Sequence, residues 1–199
     1  MITGILLAAG QSSRFGSDKL LHAYSGGTPI AVAALRNFRP ALDHVIAVVR
    51  AGAGELSARL SVEGARVIVC ADAYSGMGNS LASGVRAAQN ADGWVIALAD
   101  MPCIRADTVI AVANALRAGE RVAVPIFNGK RGHPVGFAAE LYNDLATLSG
   151  DIGAKALLAR HEARFLDCKD PGVLFDVDTR ADLSNSEFLG DVRALGELQ

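Results

Sequence analysis

The residues best suited to chemistry lie in "LLAAGQSSRFGSDKLL", residues 6–21. An apolar run stops at Ala8-Ala9-Gly10, and a small, polar, basic stretch follows with Ser12, Ser13, Arg14, Gly16 and Lys19. Small residues let a backbone approach a ligand closely, and glycine permits the turns this requires. Successive N–H groups in such a loop make a concave anion site. Arg14 adds a fork suited to phosphate, and Lys19 adds a compact charge. Neither common phosphate motif is present. Five residues separate Gly10 from Gly16 where a P-loop has four, and no Gly-x-Gly-x-x-Gly occurs here. The second chemical element is "LADMPCI". It puts Asp100 just past an apolar run and before Pro102, which favours a fixed turn. One carboxylate in such a place suffices for a nucleotide-bound Mg2+, which takes one or two carboxylates, waters and phosphate oxygens. A turn-capping role is the alternative.

Weaker candidates surround these. Asn79 and Ser80 follow a glycine-rich turn and suit either a helix cap or a ligand contact. His133 sits between Gly132 and Pro134 in the basic stretch "NGKRGHP", with Lys130 and Arg131. Asp178, in "FDVDTRADL", is open between a second metal ligand, an acceptor contact and a cap. Lys155 reads as a solvated charge, Trp94 as core and Cys103 as packing.

The elements that position these groups follow from hydrophobic patterning. Near-continuous Val/Ile/Leu runs at 2–8, 44–49, 65–70, 93–99 and 121–126 suit strands covered on both faces. Helical spacing separates them. Val109, Val112 and Leu116 share a face, with Asp107 as the expected cap and Gly119 as the stop. Leu81, Val85 and Ala88 repeat this pattern. Beyond residue 126 we expect a turn-rich loop at 128–134 and a strand passing into a helix in "VGFAAELYNDL". A short helix capped by Asp151 and another capped by Thr179 follow. Strand–helix alternation predicts an α/β fold, a doubly wound, mostly parallel sheet in one domain over 1–199. Such sheets bind ligands at the carboxyl ends of their strands, where Gly10 and Asp100 both fall.

The 199 residues carry a formal charge of −2, which argues against a nucleic-acid partner. No run approaches the roughly 20 apolar residues of a membrane span. Cys70, Cys103 and Cys168 have no metal-ligand spacing and are odd in number. They read as reduced thiols of a cytoplasmic protein.

The opening stretch resembles the Leu-Ala-Ala-Gly-x-Ser-x-Arg-Met-Gly-x-x-Lys signature of the MobA-like nucleotidyltransferases, with Phe15 at the Met position. Within them it is most similar to the molybdenum cofactor cytidylyltransferase branch. "GMGNSLASGVRAA", "ADMP", "GHPVGF", "GDIGAKALL" and "DVDTRADL" match in the same order, so the resemblance spans essentially the whole chain. It implies a Rossmann-like nucleotidyltransferase that moves CMP from CTP to the phosphate of a molybdopterin-type acceptor and releases pyrophosphate. Leu7, Ala8, Ala9, Gly10, Asn79 and Ser80 would then meet the nucleotide. Arg14 and Lys19 would stabilise charge on the phosphates, Asp100 would hold Mg2+, and His133 and Asp178 would face the acceptor. A molybdenum enzyme would receive the product. Relatives that use GTP carry Ala-Gly-Gly where this chain has Ala8-Ala9-Gly10, so GTP stands as the rival nucleotide. A cofactor-carrying chaperone without catalysis is a further alternative.

Overall fold

The computed structural model describes residues 1–10 and 18–183. Five strands fall within a residue or so of the apolar runs: β1 (Ile2–Ala8), β2 (His44–Arg50), β3 (Arg66–Cys70), β4 (Gly93–Leu98) and β5 (Val122–Phe127). Three shorter strands complete the sheet: β6 (Lys130–Arg131), β7 (Val135–Ala138) and β8 (Arg164–Asp167). The strand order is β3-β2-β1-β4-β7-β5-β6, and β8 pairs with β5. β1 is parallel to both β2 and β4, whereas β7 runs antiparallel between β4 and β5. The sheet is therefore mostly parallel, in agreement with the sequence.

Every residue of β1 is buried, because helices cover both faces. Ile2, Leu6 and Ala8 join a cluster with α1 (Ile30–Phe38), α2 (Gly54–Val62) and α4 (Ala106–Arg117). Ile5 and Leu7 point the other way, toward α3 (Met77–Ala87), α5 (Tyr142–Ala146) and α6 (Lys155–Arg160). This is the period-two alternation of a strand with a core on each side. Trp94 is fully buried in the second cluster, and its indole N–H donates to the Ala88 carbonyl at 3.1 Å.

Several caps differ from expectation. Asp107 lies in the first turn of α4, and no side chain caps that helix at Arg105. Asp170, only 2% exposed, instead accepts from the Arg105 N–H, the Thr108 hydroxyl and the Gly172 N–H, so a distant carboxylate satisfies that end. α3 begins at Met77, two residues before Asn79, so neither Asn79 nor Ser80 is its cap. Asp151 belongs to a separate 3₁₀ turn (Gly150–Ile152), ahead of α6. Helix begins after Thr179 as expected, with the polarity reversed: the Thr179 N–H and hydroxyl both donate to Asp182.

Candidate active site

The carboxyl ends of β1 and β4 open onto a cleft of about 400 Å3. Its floor is Leu7, Ala9, Ser80 and Leu98. β1 delivers Gly10, and β4 delivers Asp100 through the turn that ends the strand. Lys19 enters from a 3₁₀ turn (Lys19–Leu21). It is only 8% exposed, which an ammonium accepts only with paired partners. Its Nζ donates to Asp100 Oδ2 at 2.9 Å and to Asp178 Oδ1 at 3.1 Å. Burial alone would lower the Lys19 pKa, but attraction and hydrogen bonds from Asp100, and then from Asp178, outweigh it and raise the value.

Three sequence candidates, Lys19, Asp100 and Asp178, thus meet at one point. A fourth residue joins them. The carboxylates of Asp100, Asp176 and Asp178 lie within 4.8 Å of one another. Sequence reading passed over Asp176, although Asp-Val-Asp was the signal: in an extended segment residues i and i+2 share a face. Between them Val177 is fully buried, and its N–H donates to the Asp100 carbonyl at 2.9 Å, which fixes the segment against the β4 turn. Partial desolvation raises the Asp176 pKa, and repulsion from Asp178 adds to it.

The donor set fits a hard divalent cation. Asp100 Oδ1 is buried with no hydrogen-bond partner among the described residues, and the ligand atoms that converge with this side chain are carboxylate oxygens. Among the described residues, Asp100, Asp176 and Asp178 are those that could hold such an ion.

Arg50, at the end of β2, was also not anticipated. Its guanidinium donates to the Gly10 carbonyl at 3.2 Å and to Asp18 Oδ2 at 2.8 Å. It joins the two residues flanking segment 11–17, which contains Arg14. Arg14 itself lies outside the described residues. Removing this strap should release Gly10 from Asp18 without touching the core. Arg50→Met is expected to weaken triphosphate binding about 10-fold, with thermal unfolding little changed. Calorimetry and a melt on the same preparation check this.

The remaining candidates stand apart from the cleft wall. The Ala8 side chain is buried in the layer of α1, α2 and α4, which leaves its backbone for ligand contact. Asn79 uses its amide within the fold, donating to Asp72 at 2.6 Å and accepting the Gly150 N–H at 2.8 Å. His133 precedes β7, whose Val135 pairs with Ile96 of β4. Its ring is therefore set beside β4 and not on the cleft lining. Burial pushes the His133 pKa down, and its covered Nδ1 has no hydrogen-bond partner.

A larger groove, about 980 Å3, opens at the amino ends of β1, β2 and β3. Three of its four arginines are engaged with the fold: Arg36 with Glu63, Arg66 with the Ala87 carbonyl and Arg86 with the Ala146 carbonyl. None of the groups assembled around Lys19 faces it. The smaller cleft is the chemically equipped one.

Comparison with known proteins gives the family of the chain. The chain is 35% identical to the purine catabolism protein PucB of Bacillus subtilis, over 89% of this chain and 92% of that one. It is 34% identical to nicotine blue oxidoreductase of Paenarthrobacter nicotinovorans, with the same coverage. A molybdenum cofactor guanylyltransferase of Ralstonia nicotianae is 30% identical over 98% and 96% of the two chains. Among solved structures, the manganese complex of Rv0371c from Mycobacterium tuberculosis H37Rv superposes with a TM-score of 0.77 at 29% identity, covering 93% of this chain and 97% of that one. The model of the MobA-like NTP transferase domain matches residues 4–165. The chain, with its strand-end loop, its clamped lysine and its aspartate past β4, belongs to the MobA-like NTP transferase family.

Proposed function

We propose that the protein transfers CMP from CTP to the terminal phosphate of a molybdopterin-type acceptor. The observation that carries this reading is Lys19, held between Asp100 and Asp178 beside the unpartnered Asp100 Oδ1 at the strand-end cleft. An acceptor phosphate oxygen attacks the α-phosphorus and forms a new P–O bond there. The bond to the α,β-bridging oxygen breaks, and pyrophosphate leaves with the electron pair. A phosphate acceptor is already ionised near neutral pH, so the site needs no strong general base. Lys19 places a fixed charge where negative charge gathers, and Arg14 does the same on the leaving group. Leu7, Ala8, Ala9, Gly10 and Ser80 take the nucleotide, with Asn79 bracing that wall. Asp100, Asp176 and Asp178 would hold Mg2+, which supplies neutralisation of the phosphate oxygens when bound. The guanylyltransferase and manganese-complex relatives support this set of partners. His133, placed beside β4, would reach the acceptor only through the acid cluster. Cys70, Cys103 and Cys168 are reduced thiols, which supports a cytoplasmic setting, where a molybdenum enzyme would receive the product.

GTP is the second reading, favoured by the guanylyltransferase relative. Ala9 lines the cleft with a side chain where a glycine would leave room, which favours a pyrimidine. Incubating the protein with Mg2+, molybdopterin and each triphosphate, with mass spectrometry for pyrophosphate and dinucleotide, tests both. We expect kcat/KM for CTP to exceed that for GTP. The reverse order moves the protein to guanylyl transfer, and absence of dinucleotide with every triphosphate removes the enzymatic reading.

A further inference from the structure

The groove at the amino ends of β1, β2 and β3 has, at about 980 Å3, the size of a pocket for a small molecule. Its lining mixes apolar side chains, among them Pro40, Leu42 and Ala88, with Arg36, Arg39, Arg66 and Arg86. Two carboxylates line it, Asp43 and Glu63, and both are committed. Glu63 accepts two N–H groups of Arg36, at 2.9 and 2.6 Å. Asp43 accepts the Ile2 N–H at 2.6 Å. Four arginines against two acids leave the wall cationic, in a chain whose formal charge is −2.

Helix ends account for part of this charge. The carboxyl end of a helix is partly negative and favours a cation beside it. Arg66 donates to the carbonyl of Ala87, the last residue of α3, at 3.3 Å. Arg86 donates to the carbonyl of Ala146, the last residue of α5, at 2.7 Å. Each bond takes one of the five N–H groups of a guanidinium and leaves the others for a ligand. Arg39 has no such duty. Among the described residues its side chain makes no hydrogen bond and no ion pair. Yet it has a prepared place. Gly64 has φ +88°, and a Cβ there would crowd the Arg39 Cζ at 3.2 Å. Glycine both permits that turn and leaves space for the guanidinium.

We propose that this groove binds a small molecule made of an apolar body and a phosphate monoester, with Arg39 as the main phosphate contact and Arg66 and Arg86 beside it. A phosphate monoester carries nearly two negative charges near neutral pH, which matches the excess of cations on the wall. Guanidinium forks suit its oxygens, and the apolar lining covers the rest of the ligand. The site stands apart from the nucleotidyl-transfer reading. Thr3 of β1 lines the groove, whereas Gly10, beyond the other end of that strand, lines the cleft.

Amide NMR in EDTA, which keeps metal-dependent phosphate binding out of play, tests this with phenyl phosphate as the probe. Phenol and inorganic phosphate serve as its two halves. Phenyl phosphate should shift the signals of Gly64 and Ala88 and leave those of Gly10 and Ser80 in place. Each half should bind at least about 10-fold more weakly than the whole probe. Arg39→Met should weaken phenyl phosphate about 10-fold or more, the loss of a hydrogen bond to a charged group. Its melting temperature and its affinity for CTP with Mg2+ should match wild type. Shifts confined to Gly10 and Ser80 put the anion in the cleft and overturn the proposal. Unchanged affinity in Arg39→Met, absence of binding at millimolar probe, or either half binding as tightly as the whole overturns it as well.

Discussion

Asp100→Asn is expected to lower nucleotidyl transfer by about 1,000-fold or more while leaving the sheet intact. The substitution keeps the size of the side chain and removes its charge. Asp100 has two duties, and the charge serves both. One oxygen holds the Lys19 ammonium at 2.9 Å. The other is buried without a partner among three converging carboxylates. Losing one anionic ligand for a divalent ion weakens the organisation of the phosphates, a loss of several kcal/mol at the transition state. The check is single-turnover transfer at saturating Mg2+, with circular dichroism to confirm the fold. Turnover near wild type from a folded Asp100→Asn protein would falsify the metal role.

Lys19→Met should lower kcat about 100- to 1,000-fold with a smaller change in nucleotide affinity. Charge at the α-phosphate grows toward the transition state, and interactions that strengthen there act on kcat. The variant carries a second signature. Lys19 neutralises Asp100 and Asp178, so removing it leaves the acids uncompensated. Mn2+ alone, with no nucleotide, should then bind more tightly than to wild type. A rise in KM with kcat unchanged would make Lys19 a ground-state contact. The raised pKa keeps the ammonium charged throughout neutral pH. Its contribution to stability is fully present below the ordinary lysine pKa and fades as pH climbs through the raised one.

The parallel half of the fold was legible because its strands are buried on both faces. "ITGILLA" and "GWVIAL" are near-continuous apolar runs, and such runs mark themselves. The region after residue 126 was harder. Asn128-Gly129, with φ +49° and +74°, turns β5 into β6, and the Asn-Gly pair was a hairpin signal inside a stretch read as a turn-rich loop. Nothing local says that the four residues of β7 insert between β4 and β5, because sheet order is settled by packing among distant segments. The site divides in the same way. Lys19 and Asp100 stood out by chemical type beside strand ends. Arg50 looked like the end of an apolar strand, and its hydrogen bonds to Gly10 and Asp18 exist only once β2 lies against β1. Asp176 was hidden because a single buried valine separates it from Asp178, and only the packing of Val177 turns that spacing into a pair of ligands.

The tether between Val177 and Asp100 also sets a clock. Strands β1 to β4 are complete by residue 98, and on a ribosome adding about 5–20 residues per second they can begin to pair while the rest of the chain is still being made. Lys19 and Asp100 are made early, whereas Asp176 and Asp178 come with nearly the last described residues. On the proposed reading, a chain released before them would lack two of the three carboxylates that would group around a metal ion.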